Sequence, residues 1–237
     1  MERQKLINYS YMYNGEYMDI IHAIKNKEKC EDIKIDNCIT IFDDLYPKEF
    51  LDLKFPPLVL YYKGNLNLLK EDKIGIVGSR LACDYALQAT KLLVKKNLDK
   101  TIVSGLALGI DACAHLNACK TIGILGCGID YIYPKANYNL YKQLEENGLI
   151  LSEYPGLTKP LGYHFPFRNR LIASLSNCVY IMQSTINSGT MTTINEALEL
   201  GKDIKVLPYD IFNQFGENNN RLILEGANII TNDEIAI

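Results

Sequence analysis

No run of apolar residues in this 237-residue sequence approaches the ~20 residues that a membrane-spanning helix requires. The N-terminus is polar and lacks the apolar segment of a secretory signal. The formal net charge of −3 is typical neither of histones nor of other polybasic proteins. A local basic groove remains compatible with it, because nucleic-acid binding depends on where the charges lie. We therefore expect a cytoplasmic globular protein without a membrane partner.

Paired cysteine motifs are also missing. The seven cysteines are odd in number, and no two of them have CxxC spacing. Cys113 and Cys119 flank His115, but this C-x-H-x₃-C arrangement does not match the usual zinc spacings. We expect reduced thiols and no metal site.

The sequence contains neither a GxGxxG dinucleotide fingerprint nor a GxxxxGK[ST] phosphate loop. Gly126 and Gly128 supply the first two glycines of the fingerprint, but Tyr131 stands where the third belongs. No Ser-His-Asp set can be assigned from the spacing. The sequence therefore predicts no catalytic residues and no cofactor.

From Lys73 onward, short apolar runs alternate with helical segments. This alternation predicts an α/β fold built on a doubly wound, mainly parallel sheet. The predicted strands are 74–77, 101–103, 121–125, 149–151, 179–182 and 204–207, and the predicted helices are 84–96, 109–120, 137–146, 167–175, 189–200 and 218–225.

The first 36 residues differ from the rest, because they are rich in Lys, Glu and Asp. We interpret 1–36 as a short helical extension, with an amphipathic helix near 17–29, and 37–237 as one domain. Strands at 38–42 and 58–62 precede the regular series, and 229–230 could add a last short edge strand.

Small and polar residues follow the predicted strands. In a doubly wound sheet ligands bind beyond the carboxyl ends of the strands, where glycine and serine let backbone N–H groups face an anion. Taken singly, these turns are also compatible with simple βα connections and helix caps. The residues concerned are Gly78, Ser79, Ser104, Gly105, Gly126, Gly128, Ser188, Gly189 and Thr190.

Residues 164–170 bring together an imidazole, aromatic rings, an amide and two guanidinium groups. Guanidinium groups bind phosphate oxygens bidentately, and aromatic faces stack on bases. Arg80 and Lys135 follow two other predicted strands. If the fold brings these segments together, they form a basic, glycine-lined groove for a phosphodiester chain.

Asp111 and His115 are four residues apart on one predicted helix face. Such a pair could perform acid–base chemistry. More often it makes hydrogen bonds that anchor a neighbouring loop, and we favour this interpretation.

In its spaced motifs the sequence resembles the DprA/Smf family of DNA-processing proteins, over about residues 39–231. The motifs are G-S-R at 78–80, S-G-L-A at 104–107, G-I-D at 109–111 with His115, G-C-G-I-D at 126–130, Y-P-K at 133–135, S-E at 152–153, H-F-P-F-R-N-R at 164–170 and S-G-T at 188–190.

This resemblance implies an extended Rossmann fold that binds single-stranded DNA, protects incoming strands in natural transformation and competence, and helps to load the RecA recombinase. It also implies a homodimer. In this family the Arg of G-S-R and the Lys of Y-P-K bind DNA, which here are Arg80 and Lys135. The same DNA-binding face would carry Arg168, Asn169 and Arg170, and Tyr138 would stack on a base.

The sequence also departs from the family pattern. Residues 181–184 read I-M-Q-S where the family usually has a V-V-E-A-like run with an acidic residue, and Tyr209 follows Pro208 in place of glycine. We expect a reduced N-terminal helical domain and no C-terminal winged helix.

An alternative is a nucleotide-processing enzyme of the phosphoribohydrolase type, and a third possibility is a nucleotide-sensing module. Phosphoribohydrolases place a catalytic Glu three residues after a Gly-Thr pair. Thr193 occupies that position here, and Glu196 lies about one turn later. The missing carboxylate argues against the enzyme.

Overall fold

A computed structural model describes residues 2–186 and 188–235 of the chain. In these residues nine strands form a single sheet. They are β1 (Cys38–Thr40), β2 (Val59–Gly64), β3 (Lys73–Gly78), β4 (Thr101–Ser104), β5 (Thr121–Ile124), β6 (Leu149–Ser152), β7 (Cys178–Gln183), β8 (Asp203–Val206) and β9 (Asn228–Ile229).

The helices are α1 (Arg3–Met12), α2 (Tyr17–Asn26), α3 (Asp84–Lys96), α4 (Ile110–Asn117), α5 (Tyr138–Asn147), α6 (His164–Leu175), α7 (Thr190–Glu199), α8 (Glu217–Leu224) and α9 (Asn232–Ile235). Helices α3 to α8 connect the strands from β3 to β9, whereas α1 and α2 precede β1 and α9 follows β9. In the described residues, no helix combines the length and hydrophobicity that a membrane crossing requires.

The strand order is β1-β2-β6-β5-β4-β3-β7-β8-β9, and every pair from β6 to β9 is parallel. The set β5-β4-β3-β7-β8-β9 has the 3-2-1-4-5-6 order of a Rossmann fold, extended by β6. The predicted doubly wound α/β class is therefore confirmed. The order reverses between β3 and β7, and ligands bind at such a switch point.

The central strands are apolar because helices cover both faces of the sheet. On one face, Leu93 of α3 and Ala114 of α4 pack with Ile76 of β3. On the other face, Ile172 of α6 and Ile194 of α7 belong to a second apolar cluster. Both clusters consist of buried side chains, so the carboxyl ends of β3 and β7 are held rigidly between layers.

Strands β1 and β2 add an antiparallel edge next to β6. Helices α1 and α2 lie over this edge, where Leu6 and Ile20 pack in one cluster with Val59 and Tyr61. The predicted helix near 17–29 corresponds to α2. The division at residue 37 remains a prediction.

Candidate functional site

A cavity of about 610 Å³ opens at the switch point, between the carboxyl ends of β3 and β7. The end of β3, the turn after it, residues 188–189 after β7, and residues of α4, α6 and α7 form its walls. Eight of the predicted site residues lie here: Gly78, Ser79, Arg80, Arg168, Asn169, Ser188, Gly189 and Thr190.

The turn after β3 has no room for a larger residue at Gly78. The register with β7 shifts between Val77 and Gly78, and a Cβ at Gly78 would lie 2.7 Å from the side chain of Ile110. The N–H of Ser79 donates to the carbonyl of Gln183 (2.8 Å), which fixes the turn to β7. Arg80 is exposed, and its guanidinium carbon lies 5.5 Å from the centroid of the Phe165 ring.

The loop after β4 is anchored from α4. Asp111 accepts the N–H groups of Gly105 (3.1 Å) and Ala107 (3.4 Å), and His115 Nε2 accepts that of Leu106 (3.3 Å). The structure thus confirms that Asp111 and His115 anchor a loop. Burial raises the pKa of Asp111 and lowers that of His115 to about 3, because the interior disfavours either charge.

Arg168 is buried behind this loop, with only 4% of its surface exposed. Its Nη1 donates to the carbonyls of Gly105 (2.7 Å) and Ile124. A Cβ at Gly105 would overlap the guanidinium group, so a larger residue there would have to displace it. Burial lowers the pKa of Arg168, but a guanidinium group stays charged in proteins. The side chain therefore places one fixed positive charge in the cavity wall.

Arg170, two residues further along α6, is also buried, with 3% exposure. It makes a bidentate pair with Glu153 (2.6 and 2.7 Å) and donates to the carbonyl of Phe55 (3.0 Å). Its guanidinium carbon lies 3.7 Å from the centroid of the Phe167 ring. Asn169 donates to the carbonyl of Gly189 (3.1 Å) and to Thr192 Oγ1 (2.6 Å), which ties α6 to the start of α7. The arrangement of Arg170 and Glu153 is that of a structural ion pair.

Lys135 and Tyr138 are exposed beside the site, at the start of α5. A smaller recess of about 80 Å³ adjoins the main cavity and shares Arg80, Phe165 and Arg168 with it. Tyr133, Pro134, Phe165 and Arg80 line this recess, and so do Gly105 and Arg168. The structure therefore brings the 78–80, 133–138 and 164–170 segments to one edge of the sheet.

Three other predicted residues make packing contacts or backbone hydrogen bonds next to the site. Ser104 is buried and donates to the carbonyl of Ile76 (2.6 Å). A Cβ at Gly126 would lie 2.9 Å from the Phe165 ring, and one at Gly128 would overlap the carbonyl of Gly156. Their small side chains permit close packing, and a direct contact of these residues with a ligand remains a prediction.

The sequence-based list omitted Phe165, which lies between Arg80 and the Tyr133 ring, 5.6 Å from the latter. Its position within the 164–170 motif is the sequence feature that could have identified it as a site residue. Glu16 was also missed. Its carboxylate accepts from the hydroxyl of Tyr163 (2.8 Å) and lies 2.8 Å from His164 Nε2, at the start of α6. In the described residues no group of His, Cys, Asp and Glu side chains is placed to hold a metal ion.

Comparison with known proteins agrees with this fold. A DNA processing protein DprA structure from Streptococcus pneumoniae has a TM-score of 0.80 and 33% sequence identity, and covers 97% of this chain and 90% of its own. A Helicobacter pylori DprA structure, which describes a single-stranded DNA binding mode of that protein, has a TM-score of 0.76 and 37% identity over 82% and 91% of the two chains.

Curated sequences agree as well. DprA of Bacillus subtilis is 38% identical over 205 residues, which is 84% of this chain and 69% of that protein. The sequence profile of the family described as DNA recombination-mediator protein A matches residues 37–237. The chain therefore belongs to the DNA recombination-mediator protein A family.

Proposed function

We propose that this chain binds single-stranded DNA at the carboxyl edge of its sheet and acts as a recombination mediator. The observation that carries the proposal is the position of Arg80 and Lys135. Arg80 is exposed at the cavity at the switch point and lies over the Phe165 ring, and Lys135 is exposed directly after Pro134, which lines the small recess. Two exposed cations and an aromatic ring on neighbouring turns at one edge of the sheet fit a phosphate backbone and its bases.

The two buried arginines have a different role in this proposal. Arg168 supports the loop after β4, and Arg170 holds Glu153, so neither guanidinium group is available to an extended strand on the surface. We propose that Arg80 and Lys135 make the main phosphate contacts, and that Tyr138, which is 52% exposed, stacks on a base.

Fluorescence anisotropy with labelled oligo(dT) at two salt concentrations tests this. Arg80→Ala and Lys135→Ala should each weaken binding and reduce the salt dependence by about one counterion. Lys100→Ala is the matched control, because Lys100 pairs with Asp72 next to the amino end of β4, at the opposite edge of the sheet. If both variants bind like the wild type while folded, the DNA site lies elsewhere.

We further propose selectivity for single strands without sequence preference. The candidate contacts are a turn, a short recess and exposed rings, and a backbone-following surface of this kind does not read base pairs in a groove. Equal affinity for single-stranded and duplex DNA of the same length would contradict the proposal.

We propose that the chain does not turn over nucleotides. Thr193, in the position of the expected carboxylate, is buried at the cavity wall. Glu196 lines a different cavity, together with Tyr17 and Phe55. Incubation with ATP or nucleoside monophosphates should give no product by chromatography. A product whose formation is lost in Glu196→Ala would support the enzyme instead.

We propose a homodimer formed through the C-terminal part of the fold. Large apolar side chains are exposed there, with Ile211 and Phe212 at 86% and Leu224 at 88%. Patches of this kind mark interaction surfaces. Light scattering should give twice the mass of one chain, and Leu224→Glu should give one chain. Leu116→Glu, an exposed leucine on α4, is the control that should leave the mass unchanged.

The proposed protein partner is the RecA recombinase, and the proposed compartment is the cytoplasm. Membership in a recombination-mediator family supports the first, and free cysteines support the second. RecA loading can be followed as its ATP hydrolysis on single-stranded DNA. The chain should shorten the lag of that reaction, and an unchanged lag would remove RecA from the proposal without affecting DNA binding.

A further inference from the structure

A second cavity, of about 560 Å³, lies between the start of α2 and helices α6 and α7. It shares only Pro166 with the cavity at the switch point. Much of its wall is aromatic. The ring centroids of Tyr17 and Phe55 are 5.4 Å apart in an edge-to-face pair, and those of Phe55 and Phe167 are 6.2 Å apart. Because aromatic faces attract organic cations, this wall suits a positively charged organic ligand.

The charged side chains in the wall of this second cavity are all carboxylates. Glu16 and Asp19 come from the start of α2, and Glu196 comes from α7. In the described residues neither Asp19 nor Glu196 makes an ion pair. Partial burial raises the pKa of Glu196, the neighbouring Glu199 adds to this effect, and Arg170 opposes it. A bound cation would therefore stabilise the ionised carboxylate.

Two cations of the protein lie near these rings, and neither belongs to the cavity wall. The guanidinium carbon of Arg170 is 3.7 Å from the centroid of the Phe167 ring, but Glu153 pairs with this guanidinium group bidentately. Lys54 Nζ, on an exposed side chain, is 5.5 Å from the centroid of the Phe55 ring. The described residues therefore place no cation in the wall itself, although its rings attract two from outside.

A buried tyrosine of the wall has a hydroxyl without a partner. Tyr154 exposes only 2% of its surface, and its ring stacks on that of His164 with centroids 4.0 Å apart. Within residues 2–186 and 188–235 the hydroxyl of Tyr154 makes no hydrogen bond. A polar group in an apolar environment costs free energy unless a ligand or water engages it. This hydroxyl can accept from an ammonium group, as the carboxylates can.

We infer that the second cavity binds an aliphatic diamine or polyamine, with its ammonium groups on carboxylates of α2 and α7 and its methylene chain on the aromatic rings. Helix α2 packs over the β1-β2 edge, and α6 lies between that edge and α7. The carboxylates therefore reach the cavity from two sides of α6. A metal ion would leave the rings unused, and a monocation would leave one side unpaired. The inference does not rest on the proposed DNA binding.

Calorimetry with the wild-type protein, in the absence of DNA, tests the inference with cadaverine, a linear diamine. We expect cadaverine to bind about tenfold more tightly than pentylamine, because its second ammonium group adds one charge-assisted hydrogen bond. The corresponding uncharged diol and Mg²⁺ should not displace cadaverine, since the diol lacks charge and Mg²⁺ lacks an apolar stem.

Several results would overturn the inference. Absence of cadaverine binding is the simplest, and displacement by Mg²⁺ at equal concentration is another, because it would indicate a metal site. Pentylamine that binds as tightly as cadaverine excludes a ligand charged at both ends. A capped lysine that does so would make the occupant a side chain of another protein.

Variants of α7 locate the site. Glu196→Gln keeps the size of the side chain and should weaken cadaverine binding about tenfold, to near the affinity of pentylamine. Glu199→Gln, which removes the same charge from the same helix outside the cavity wall, should keep the wild-type affinity. Equal weakening in both folded variants contradicts the inference, because it would indicate a general effect of negative charge.

Tyr154→Phe distinguishes a ligand contact from a structural role. The hydroxyl has no partner in the described residues to lose, so the urea midpoint should match that of the wild type while cadaverine binding weakens. Unchanged cadaverine affinity in this variant contradicts the placement of the ligand beside Tyr154. If the wild type binds cadaverine but not oligo(dT), the proposed DNA binding fails and the inference about this cavity stands.

Discussion

Acid should destabilise this fold through His115, which has no accessible surface. Thr121 Oγ1 donates to the carbonyl of Ile102 (3.0 Å) and lies 2.6 Å from His115 Nδ1, so Nδ1 must carry the proton and donate to it. Nε2 then accepts the N–H of Leu106 (3.3 Å). Protonation of Nε2 would set two donors against each other and add a buried charge near Arg168.

The size of the effect follows from the pKa. Burial, together with Arg168, lowers the pKa of His115 to about 3, against an ordinary value of 6.5. Between these pH values the unfolded chain binds more protons than the folded one, so the stabilisation is complete above pH 6.5 and is lost as the pH falls towards 3. The contribution lost is about 2 kcal/mol by pH 5 and up to about 5 kcal/mol at the acid end.

Urea unfolding at pH 7.5 and pH 5.0 measures this loss. His115→Gln removes the titration and retains an acceptor and a donor, so it should lower stability at pH 7.5 but lose about 2 kcal/mol less than the wild type on acidification. His22→Gln, at an exposed histidine, should lose as much as the wild type. Equal losses for the wild type and His115→Gln would refute a neutral, buried His115. The difference between proteins isolates His115 from the carboxylates that titrate in the same range.

Three further predictions concern the arginines and the exposed ring. Gly105→Ala should lower both stability and oligo(dT) affinity, because the added methyl displaces the Arg168 guanidinium group; a wild-type urea midpoint would contradict this. Glu153→Ala should cost about 3–5 kcal/mol by urea unfolding, since it leaves the Arg170 charge buried and unpaired, and replacing both residues with Leu should cost less. Tyr138→Ala should weaken oligo(dT) binding by about 1–3 kcal/mol in anisotropy measurements, whereas Tyr138→Phe should bind normally.

Much of the fold could be predicted from the sequence because its strands are buried on both faces. Continuous apolar runs such as 74–77 and 179–182 mark central parallel strands, and they correspond to β3 and β7. The amphipathic segment 84–96 gives the bounds of α3. The switch point follows less directly, since periodicity identifies strands but not their neighbours. It becomes visible only when β7 pairs with β3 rather than with β6.

Contacts distant in sequence could not be predicted. Glu16, in the N-terminal segment, reaches His164 across 148 positions and orders the start of α6. Helix α6 begins at His164, three residues before the predicted start. Phe165 therefore lies in the first turn of the helix, where its ring contacts the Arg80 guanidinium group. No local pattern around Glu16 distinguishes it from the many acidic residues near it. The link arises from the packing of the N-terminal helices on the edge of the sheet.

The arginines show why a motif predicts the place of a site better than the role of each side chain. Arg168 and Arg170 carry the same guanidinium group as Arg80, yet each is nearly inaccessible. Their burial is possible because residues distant in sequence supply hydrogen-bond partners. The carbonyl of Gly105 accepts from Arg168, and the Glu153 carboxylate pairs with Arg170. The sequence shows which arginines are present, but only the fold determines whether a guanidinium group can contact a ligand or is paired within the protein. In Arg168 the two kinds of nitrogen differ. Nη1 donates to the carbonyl of Gly105, whereas Nε has no hydrogen-bond partner, and the residue lies in the cavity wall.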